Sequence, residues 1–395
     1  MSKLTAIDLF AGAGGFSLAA HDAGFNLLAA VEFDQHAANT YQQNIIKRLQ
    51  PTTRVYAQDI NQIDILSFMG ELSLNSGELD LLLGGPPCQG FSTHRIKDSG
   101  GNDPRNQLLV KYFDFVAKLR PKVFLVENVP GLLWPRHEKH LNKFLKLARE
   151  HKYNVISDGP LIINARDYGV PQNRRRAFIL AVREDIILDE LTWPPKPTHI
   201  KPDFDTSFAT TAWKSASTVF EKPPQEILDK LIPRMQKVLD WDEEKSTKVV
   251  NSLIFGNPLP EDDWCNRHMM HKPFMIERFR DTELMGSREE HPYTLKCHEN
   301  GYGGHKDVYG RMYFHTPSNT ITTGCHNPSK GRFLHPWENH GITLRHAARL
   351  QTFPDDFNFI GGVMAASRQI GNAVPILLGK ALIINIKESL LCRKQ

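Results

Sequence analysis

Residues 4–15 decide the fold of this chain and read Leu-Thr-Ala-Ile-Asp-Leu-Phe-Ala-Gly-Ala-Gly-Gly. Apolar residues dominate positions 4–10, which predicts a buried β-strand. The glycines at 12, 14 and 15 let the backbone turn tightly and approach a ligand without interference from Cβ atoms. A helical pattern begins at Ser17. The stretch therefore predicts a strand, a glycine-rich turn and a helix.

Strand and helix patterns alternate through the first 180 or so residues. Further strands are predicted over 27–31, 54–57, 79–83, 123–126 and 177–182, and helices over 35–49 and from residue 107. The last helix carries its apolar side chains on one face: Leu109, Tyr112, Phe113, Val116 and Leu119. This alternation predicts an α/β fold, with a doubly wound, mostly parallel sheet in which ligands bind beyond the carboxyl ends of the strands.

Two carboxylates follow successive predicted strands. Glu32 ends the second strand, 20 residues after Gly12, where nucleotide-binding folds grip ribose hydroxyls. Asp59 ends the third and could accept a hydrogen bond from an adenine amino group, and Phe33 could stack on adenine. The glycine spacing departs from G-x-G-x-x-G, which argues against a pyrophosphate dinucleotide. An acidic site suits a sulfonium cation, so the predicted cofactor is S-adenosyl-L-methionine.

The sequence changes character near residue 191. Trp-Pro-Pro-Lys-Pro-Thr at 193–198 indicates a boundary, and residues 201–339 have weak periodicity with many turn signals. Regular patterning returns at 343–350 and 375–391. We expect a first domain over 1–190, a second, smaller and irregular domain over 191–340, and a final segment over 341–395.

The net charge of +4 is unevenly distributed. Residues 1–88 hold four Lys or Arg against nine Asp or Glu, a balance of −5, and the remaining 44 against 35 give +9. This asymmetry favours a polyanion such as nucleic acid as partner of the later part, although unequal surface decoration is the alternative. No apolar run approaches the length of a membrane span, and no secretory signal is visible. Five cysteines without a CxxC favour a reducing compartment.

Four residues beside the predicted strands carry candidate chemistry. Cys88 follows Gly-Gly-Pro-Pro, whose prolines stiffen the backbone, and its place at the functional edge of the sheet favours a nucleophile over a small buried hydrophobe. Glu127 ends the fifth strand, where partial burial would favour a protonated, hydrogen-bond-donating form over a solvated or ion-paired one. Alternation puts Arg174 and Arg176 on one face, where they could bind phosphate or a base carbonyl; a charged strand edge is the alternative.

The ordered motifs resemble those of bacterial DNA cytosine-5 methyltransferases. Pro-Pro-Cys-Gln (86–89), Glu-Asn-Val (127–129), Gln-Asn-Arg-Arg-Arg (172–176), Arg-Leu-Gln-Thr-Phe-Pro (349–354) and Gln-Ile-Gly-Asn-Ala-Val-Pro (369–375) follow Asp-Leu-Phe-Ala-Gly-Ala-Gly-Gly (8–15). The resemblance covers about residues 4–182 and 341–391. It implies a methyltransferase fold, a target-recognition domain over 191–340, and a C-terminal segment that returns to the catalytic domain.

The resemblance implies a role for each candidate residue. Cys88 matches the thiolate that adds to C6 of a flipped-out cytosine. Glu127 matches the acid that contacts N3 and the exocyclic amine, Arg176 an arginine near O2, and Arg174 one that supports the site. With the strand ends, the resemblance assigns the cofactor site to Phe10, Gly12, Gly14, Gly15, Glu32, Phe33, Asp59, Ile60, Pro87, Asn372 and Val374. Expected DNA contacts are Ser92, Arg95 and Arg105 in a lid over 90–105, and Arg311, Lys330 and Arg332 in the recognition domain.

Two residues depart from the family pattern. Gln58 stands where the family usually has Gly. His346 stands where it usually has Glu, three residues after the helix cap Thr343, so we expect the reciprocal capping box to be lost. We therefore expect His346→Glu to be neutral or stabilising.

Other functions remain open at this stage. One is a tRNA cytosine-5 methyltransferase, although the Cys-Phe-Thr typical of that branch is missing and the insert is long. Another is a catalytically silent DNA-binding regulator, although Cys88 and Glu127 are present. No structural metal is expected from the cysteine and histidine spacing. The leading hypothesis is a monomeric cytoplasmic, nucleoid-associated enzyme that acts on double-stranded DNA, with a companion restriction endonuclease.

Overall fold

The computed structural model describes residues 3–87, 107–188, 191–202, 211–291 and 306–392. The chain divides into two compact units. The first comprises Met1–Asn164, Arg175–Lys196 and Ala373–Gln395, and the second comprises Ala165–Arg174 and Pro197–Asn372. These limits differ from the expected boundaries, because residues 341–372 belong to the second unit and the return to the first begins at Ala373.

The described part of the first unit is built on an eight-stranded sheet. Its strands are β1 (Thr5–Leu9), β2 (Asn26–Val31), β3 (Arg54–Tyr56), β4 (Leu81–Gly84), β5 (Val123–Asn128), β6 (Tyr153–Val155), β7 (Leu161–Asn164) and β8 (Arg175–Arg183). The order is β3-β2-β1-β4-β5-β8-β6, with β7 also paired to β8. β1 to β5 pair in parallel, and β8 runs antiparallel to β5, β6 and β7. The predicted mostly parallel α/β sheet is confirmed.

Six helices belong to the described part of the first unit. They are α1 (Gly15–Asp22), α2 (Gln35–Tyr41), α3 (Ile65–Glu71), α4 (Gln107–Leu119), α5 (Glu138–Glu150) and α11 (Ile376–Leu391). All five apolar positions predicted for the helix at residue 107 are buried in α4. The helix predicted over 35–49 is shorter, because α2 passes at Tyr41 into a wider π-helical turn, Gln42–Ile46.

The C-terminal helix α11 packs on α1 within the first unit. A Cβ atom at Gly379 would lie 2.9 Å from the Cβ atom of Ala19, so the two helices approach closely at this glycine. Lys387 Nζ donates a hydrogen bond of 2.7 Å to the carbonyl oxygen of Ala23, at the end of α1. These contacts bring the residues before α11 to the glycine-rich turn.

The second unit is less regular. Its described residues form helices α6 (Gln225–Leu239), α7 (Glu243–Asn251), α8 (Pro273–Asp281), α9 (Leu344–Leu350) and α10 (Val363–Asn372). Their β-pairing is limited to isolated bridges such as Gln172 with Ser318. A small apolar core lies between α6 and α7 and includes Leu231, Met235 and Val249. Buried polar bonds and arginine side chains hold much of the rest.

A buried polar network joins distant motifs in the second unit. Gln172 Nε2 donates to the Leu350 carbonyl and to Gln351 Oε1, each at 2.9 Å, and Gln172 Oε1 accepts from the Ile321 N–H at 2.8 Å. Gln351 Nε2 in turn donates to the Ile370 carbonyl at 2.6 Å. Because buried amides are costly to leave unpaired, these bonds set the relative positions of four chain segments within the unit.

The predicted loss of the capping box at α9 is wrong. Thr343 Oγ1 accepts from the His346 N–H at 3.1 Å, and His346 Nδ1 accepts from the Thr343 N–H at 3.4 Å. A neutral imidazole can accept through one ring nitrogen, so it takes the place of the usual carboxylate. The ring is also buried, with its centroid 4.5 Å from that of Phe220.

None of the helices in the described part of the chain combines the length and apolar character that crossing a bilayer requires.

Candidate active site and cofactor site

The carboxyl ends of β4 and β5 form the candidate active site. These strands are parallel, with Gly84 beside Val126, so Gly85 and Glu127 lie at the same edge of the sheet. A Cβ atom at Gly85 would lie 3.7 Å from Glu127 Oε2. Asn128 Nδ2 donates to the Pro86 carbonyl at 3.3 Å, which fixes the start of the proline turn. Cys88 follows two residues later and lies outside the described residues.

Glu127 and Arg176 form an ion pair at this edge. β8 runs antiparallel to β5 and brings Arg176 beside the end of β5. Arg176 Nε lies 3.0 Å from Glu127 Oε1, and the two side chains are only 14% and 11% exposed. Arg176 Nη1 also donates to the Arg175 carbonyl at 2.8 Å. The site thus places a carboxyl group directly beside a guanidinium.

Arg174 does not share a face with Arg176 as predicted. β8 begins at Arg175, so strand alternation does not extend to Arg174, which belongs to the second unit. Its buried guanidinium donates to the carbonyls of Ile321 at 2.9 Å and Gly371 at 3.0 Å. Within the described structure Arg174 therefore joins segments of the second unit.

Glu32 organises the glycine-rich turn. Its Oε2 accepts from the Gly12 N–H at 2.8 Å, and its Oε1 accepts from the Asp34 N–H at 2.7 Å. Burial raises the pKa of Glu32 above its usual value, although these hydrogen bonds oppose the shift. The neighbouring Phe33 is 74% exposed, so its ring is available to a planar ligand beside the carboxylate.

Asp59 follows β3, the strand next to β2, and Glu32 directly follows β2. β2 and β3 are parallel and adjacent, and the Glu32 N–H bonds to the Tyr56 carbonyl at 3.1 Å. β3 ends at Tyr56, three residues before Asp59, which caps the short turn Ile60–Gln62 through the Asn61 N–H at 2.9 Å. Ile60 is buried beneath this turn, and Pro87 is half-buried after β4.

The glycine-rich turn needs glycine at two positions for physical reasons. Gly14 has a φ of 97°, and a Cβ atom there would lie 2.3 Å from Ile45 Cδ1. A Cβ atom at Gly15 would lie 2.7 Å from the Val374 carbonyl oxygen. Val374 therefore lies at the turn within the first unit, whereas Asn372 is the last residue of α10 in the second.

A buried carboxyl beneath the turn was missed by sequence reasoning. Asp8 Oδ2 accepts from Ser17 Oγ at 2.7 Å, and Tyr41 OH donates to Ser17 Oγ at 2.9 Å. Burial raises the pKa of Asp8 to about 7. Asp8 Oδ1 is buried without a hydrogen-bond partner among the described residues. The available signal was a single acidic residue within the apolar run of β1.

Two of the expected DNA contacts serve the fold instead. Arg311 is 3% exposed and donates to the carbonyls of Thr282, Phe279, His335 and Glu338 and to Asn339 Oδ1. Arg332 is 5% exposed and bonds Asp307 and the carbonyls of Met285, Gly286 and Arg311. The expectation that these two arginines contact DNA is not supported, because both side chains are buried and bond to groups within the second unit.

Lys330, the third expected DNA contact of the recognition domain, is exposed, and the aliphatic part of its side chain lies beside Gly324. Ser92, Arg95 and Arg105 lie outside the described residues. Among the residues that are described, no group of three or more His, Cys, Asp or Glu side chains could hold a metal ion.

The parallel sheet, the glycine-rich turn with its carboxylate, and the Glu127–Arg176 pair define an α/β methyltransferase fold. The family C-5 cytosine-specific DNA methylase matches residues 4–388, so the chain belongs to that family and is a DNA cytosine-5 methyltransferase. No described feature of either unit conflicts with this membership.

Several relatives are similar over nearly the whole chain. The type II methyltransferase M.DdeI of Desulfomicrobium norvegicum is 31% identical over 95% of this chain and 86% of its own. The type II methyltransferase M.AgeI of Thalassovita gelatinovora is 30% identical over 96% and 98%.

Solved structures show the same fold. The crystal structure of a protein described as a DNA modification methyltransferase from an E. coli prophage is 27% identical, with a TM-score of 0.64 over 98% of this chain and 100% of that one. The Entamoeba histolytica methyltransferase EhMeth, 14% identical, has a TM-score of 0.59 over 99% of each chain, a likeness in fold alone.

Proposed function

We propose that this enzyme transfers a methyl group from S-adenosyl-L-methionine to C5 of a flipped-out cytosine in a specific duplex DNA site, through a covalent bond between Cys88 and C6. The single observation that carries the proposal is the Glu127–Arg176 pair, 3.0 Å apart at the sheet edge where the Pro86–Pro87 turn leads to Cys88. An acid, a fixed guanidinium and a thiol on a stiff turn are the groups that cytosine activation requires.

Each residue has a distinct part in this reaction. C5 of cytosine is a poor nucleophile, so the Cys88 thiolate first adds to C6 and pushes electron density onto C5. Glu127 stabilises this step by a hydrogen bond at N3 and the exocyclic amine, and Arg176 by one at O2. C5 then bonds to the methyl group as the methyl–sulfur bond of the sulfonium breaks and its electron pair stays on sulfur as a neutral thioether. The C5 proton next leaves to a solvent base. The electrons of the broken C5–H bond expel the thiolate from C6, which leaves 5-methylcytosine and free Cys88.

The residues at the glycine-rich turn fit S-adenosyl-L-methionine. The carboxylate of Glu32 can accept from two ribose hydroxyls, the exposed Phe33 ring can stack on adenine, and no atom lies within 4 Å of a Cβ atom built at Gly12. Phe10, Gly14, Gly15, Asp59, Ile60, Pro87, Asn372 and Val374 complete the proposed site. When bound, the cofactor supplies an electrophilic methyl group on a sulfonium.

The biological role we propose is modification of DNA in a restriction–modification system. The support is the similarity to relatives named as type II methyltransferases. On this proposal the enzyme acts as a monomer in the cytoplasm, and a companion restriction endonuclease cuts the same sequence when it is unmethylated.

The test is methyl transfer by the purified protein, followed by bisulfite sequencing of DNA from cells that express it. We expect 5-methylcytosine at one short sequence, and no activity on tRNA. Activity on tRNA alone would favour the tRNA enzyme, and binding without transfer would favour a silent regulator.

The covalent step has its own assay. A duplex with 5-fluorocytosine at the target cannot lose a proton from C5, so the Cys88–C6 adduct should accumulate and survive denaturation. Cys88→Ser should abolish both trapping and methylation, because an alcohol is far less nucleophilic than a thiolate. Cys392→Ser, at an exposed free cysteine, is the matched control and should retain both. Methylation that persists in Cys88→Ser would refute the mechanism.

A further inference from the structure

A concave pocket on the second unit is not accounted for by methyl transfer. It has a volume of about 700 Å³ and is lined by residues of three separate segments, which include Arg267, Met270, His326 and Met364. Met270 is 85% exposed and Met364 is 72% exposed. Large apolar side chains left this open to solvent on facing segments indicate a surface that another molecule covers.

The pocket walls are held rigidly by the fold of the second unit. Trp264 Nε1 donates to the Phe359 carbonyl at 3.1 Å, and Asp263 is ion-paired with Arg345. The Arg267 carbonyl accepts from the Leu344 N–H at 3.3 Å, at the start of α9. The methionines therefore project from a fixed backbone, so a ligand would not have to order the surface on binding.

The polar residues that line the pocket are Asn266, Arg267, His268 and His326, and they include an acceptor on His326 and the donors of Arg267. Ser367 Oγ donates to the Thr323 carbonyl at 2.9 Å, so its single hydrogen is used there. His326 Nδ1, 2.9 Å from the same oxygen, must then carry the hydrogen that Ser367 accepts. His326 Nε2 is left as an acceptor. The Arg267 side chain is exposed, lines the pocket and supplies guanidinium donors.

The charge of the surface favours a nucleic acid over a protein or a lipid. Arg267 lines the pocket and no acidic residue is among the described residues that line it. Lys272, which follows the same segment, is exposed. A base edge matches this mixture of donor, acceptor and apolar wall, because it carries donors, acceptors and, in thymine, a methyl group. Methionine sulfur also makes favourable contacts with aromatic rings.

We propose that this methionine pocket (Asn266–Met270, His326, Val363 and Met364) takes a base of the target DNA, partly or fully unstacked, and so contributes to choice of sequence. Apolar side chains at protein–DNA interfaces insert at unstacked base steps, and Met270 and Met364 supply such groups here. The inference rests on the proposed DNA methyltransferase function. It goes beyond that function by assigning a second base site, separate in sequence from Cys88 and Glu127.

The test uses a fluorescent duplex of about 20 base pairs that carries the target found by bisulfite sequencing. We compare wild type with Met270→Ala, Met364→Ala and the double variant. Ile254→Ala, at an exposed apolar residue of the same unit outside the pocket, is the matched control. We expect the double variant to bind DNA about tenfold more weakly, with an unchanged salt dependence because no charge is removed. The Ile254→Ala variant should bind like wild type.

An abasic scan of the same duplex identifies the base. Removing the base that occupies the pocket should weaken binding by wild type and not by the double variant. The inference would be overturned by unchanged affinity in the double variant or by an equal loss in Ile254→Ala. It would also be overturned if, at every abasic position, the double variant lost as much affinity from base removal as wild type does. Wild-type methylation of the duplex is measured in parallel, so failure of the proposed function would appear separately, as an inactive wild-type enzyme.

Discussion

The sequence and the structure predict opposite effects on stability for the substitution His346→Glu. The family pattern suggests that Glu at this position would complete a capping box and be harmless. In the structure the box is already closed by the imidazole, and the ring is 4% exposed. Burial lowers the pKa of His346 to about 3, so the wild-type side chain is neutral at physiological pH. A carboxyl group in the same place must be buried charged or be held protonated.

The magnitude follows from the cost of holding that carboxyl neutral. Protonating a glutamate with an ordinary pKa near 4.3 costs about 4 kcal/mol at pH 7 and about 1 kcal/mol at pH 5. Loss of the ring contact with Phe220 adds about 1 kcal/mol. We expect His346→Glu to lower the free energy of unfolding by roughly 5 kcal/mol at pH 7.

The pH dependence provides a sharper criterion, because wild type and variant change in opposite directions. The folded-state pKa of His346 lies below its unfolded value of about 6.5, so its contribution is full above pH 6.5 and is lost as the pH falls, by about 2 kcal/mol at pH 5. A buried glutamate has a raised pKa, and its contribution is lost as the pH rises. The difference between the two proteins should therefore nearly vanish at pH 5.

Urea unfolding followed by tryptophan fluorescence at pH 5, 6, 7 and 8 measures this difference. His36→Glu is the matched control, because His36 is exposed in the first turn of α2, and we expect it to stay within about 0.5 kcal/mol of wild type. If His346→Glu unfolds at the same urea concentration as wild type at pH 7, a carboxyl group is tolerated at this buried position and the predicted loss of stability is refuted.

Three further predictions concern the cofactor site and the arginines. Phe33→Ala should raise the KM for S-adenosyl-L-methionine about tenfold with kcat unchanged, and unfolding should not shift, because the ring is 74% exposed; an unchanged KM would exclude stacking. Burial raises the pKa of Asp8 to about 7, so wild type should lose up to about 4 kcal/mol between pH 4 and pH 7; Asp8→Asn should not, and parallel pH profiles by calorimetry would contradict this. Arg311→Gln should lower the free energy of unfolding by about 3 kcal/mol and leave the salt dependence of DNA binding unchanged, because Arg311 is buried. Lys330→Gln should leave the free energy of unfolding unchanged and reduce the slope of log K against log salt by about 0.9. A reduced salt slope in Arg311→Gln would show that Arg311 contacts DNA.

The sequence predicts the first unit well because its strands are short, buried and apolar. β1, β2, β3 and β5 begin within a residue of their predicted starts, whereas β5 runs on to Asn128, so Glu127 is its last residue but one. A parallel sheet places all these strand ends at one edge, so position along the sequence alone locates the site. Asp8 escaped notice because only the folded chain shows that Ser17 and Tyr41 bond around it.

The second unit is predicted less well, for a physical reason. Arg311 and Arg332 look like surface cations in an irregular basic segment, yet most of their acceptors are backbone carbonyls more than 20 positions away. Periodicity carries no information about such bonds, because an arginine that supports a loop and one that contacts phosphate stand in the same kind of sequence. His346 was also predicted wrongly from the sequence. The family pattern has Glu at this position, but the helix end needs only a side-chain acceptor, and a neutral imidazole also supplies one.

The run 172–176 shows that neighbours in a motif can act in different units. The chain passes from the second unit to the first between Arg174 and Arg175. The chain leaves the second unit a second time between Asn372 and Ala373. Arg174 donates to the Gly371 carbonyl, so its side chain joins the two places at which the chain leaves the second unit. Arg176 pairs with Glu127 in the first. A substitution at Arg174 should therefore act through the folding of the second unit, and one at Arg176 through the chemical step, although the family motif treats the two arginines as one feature.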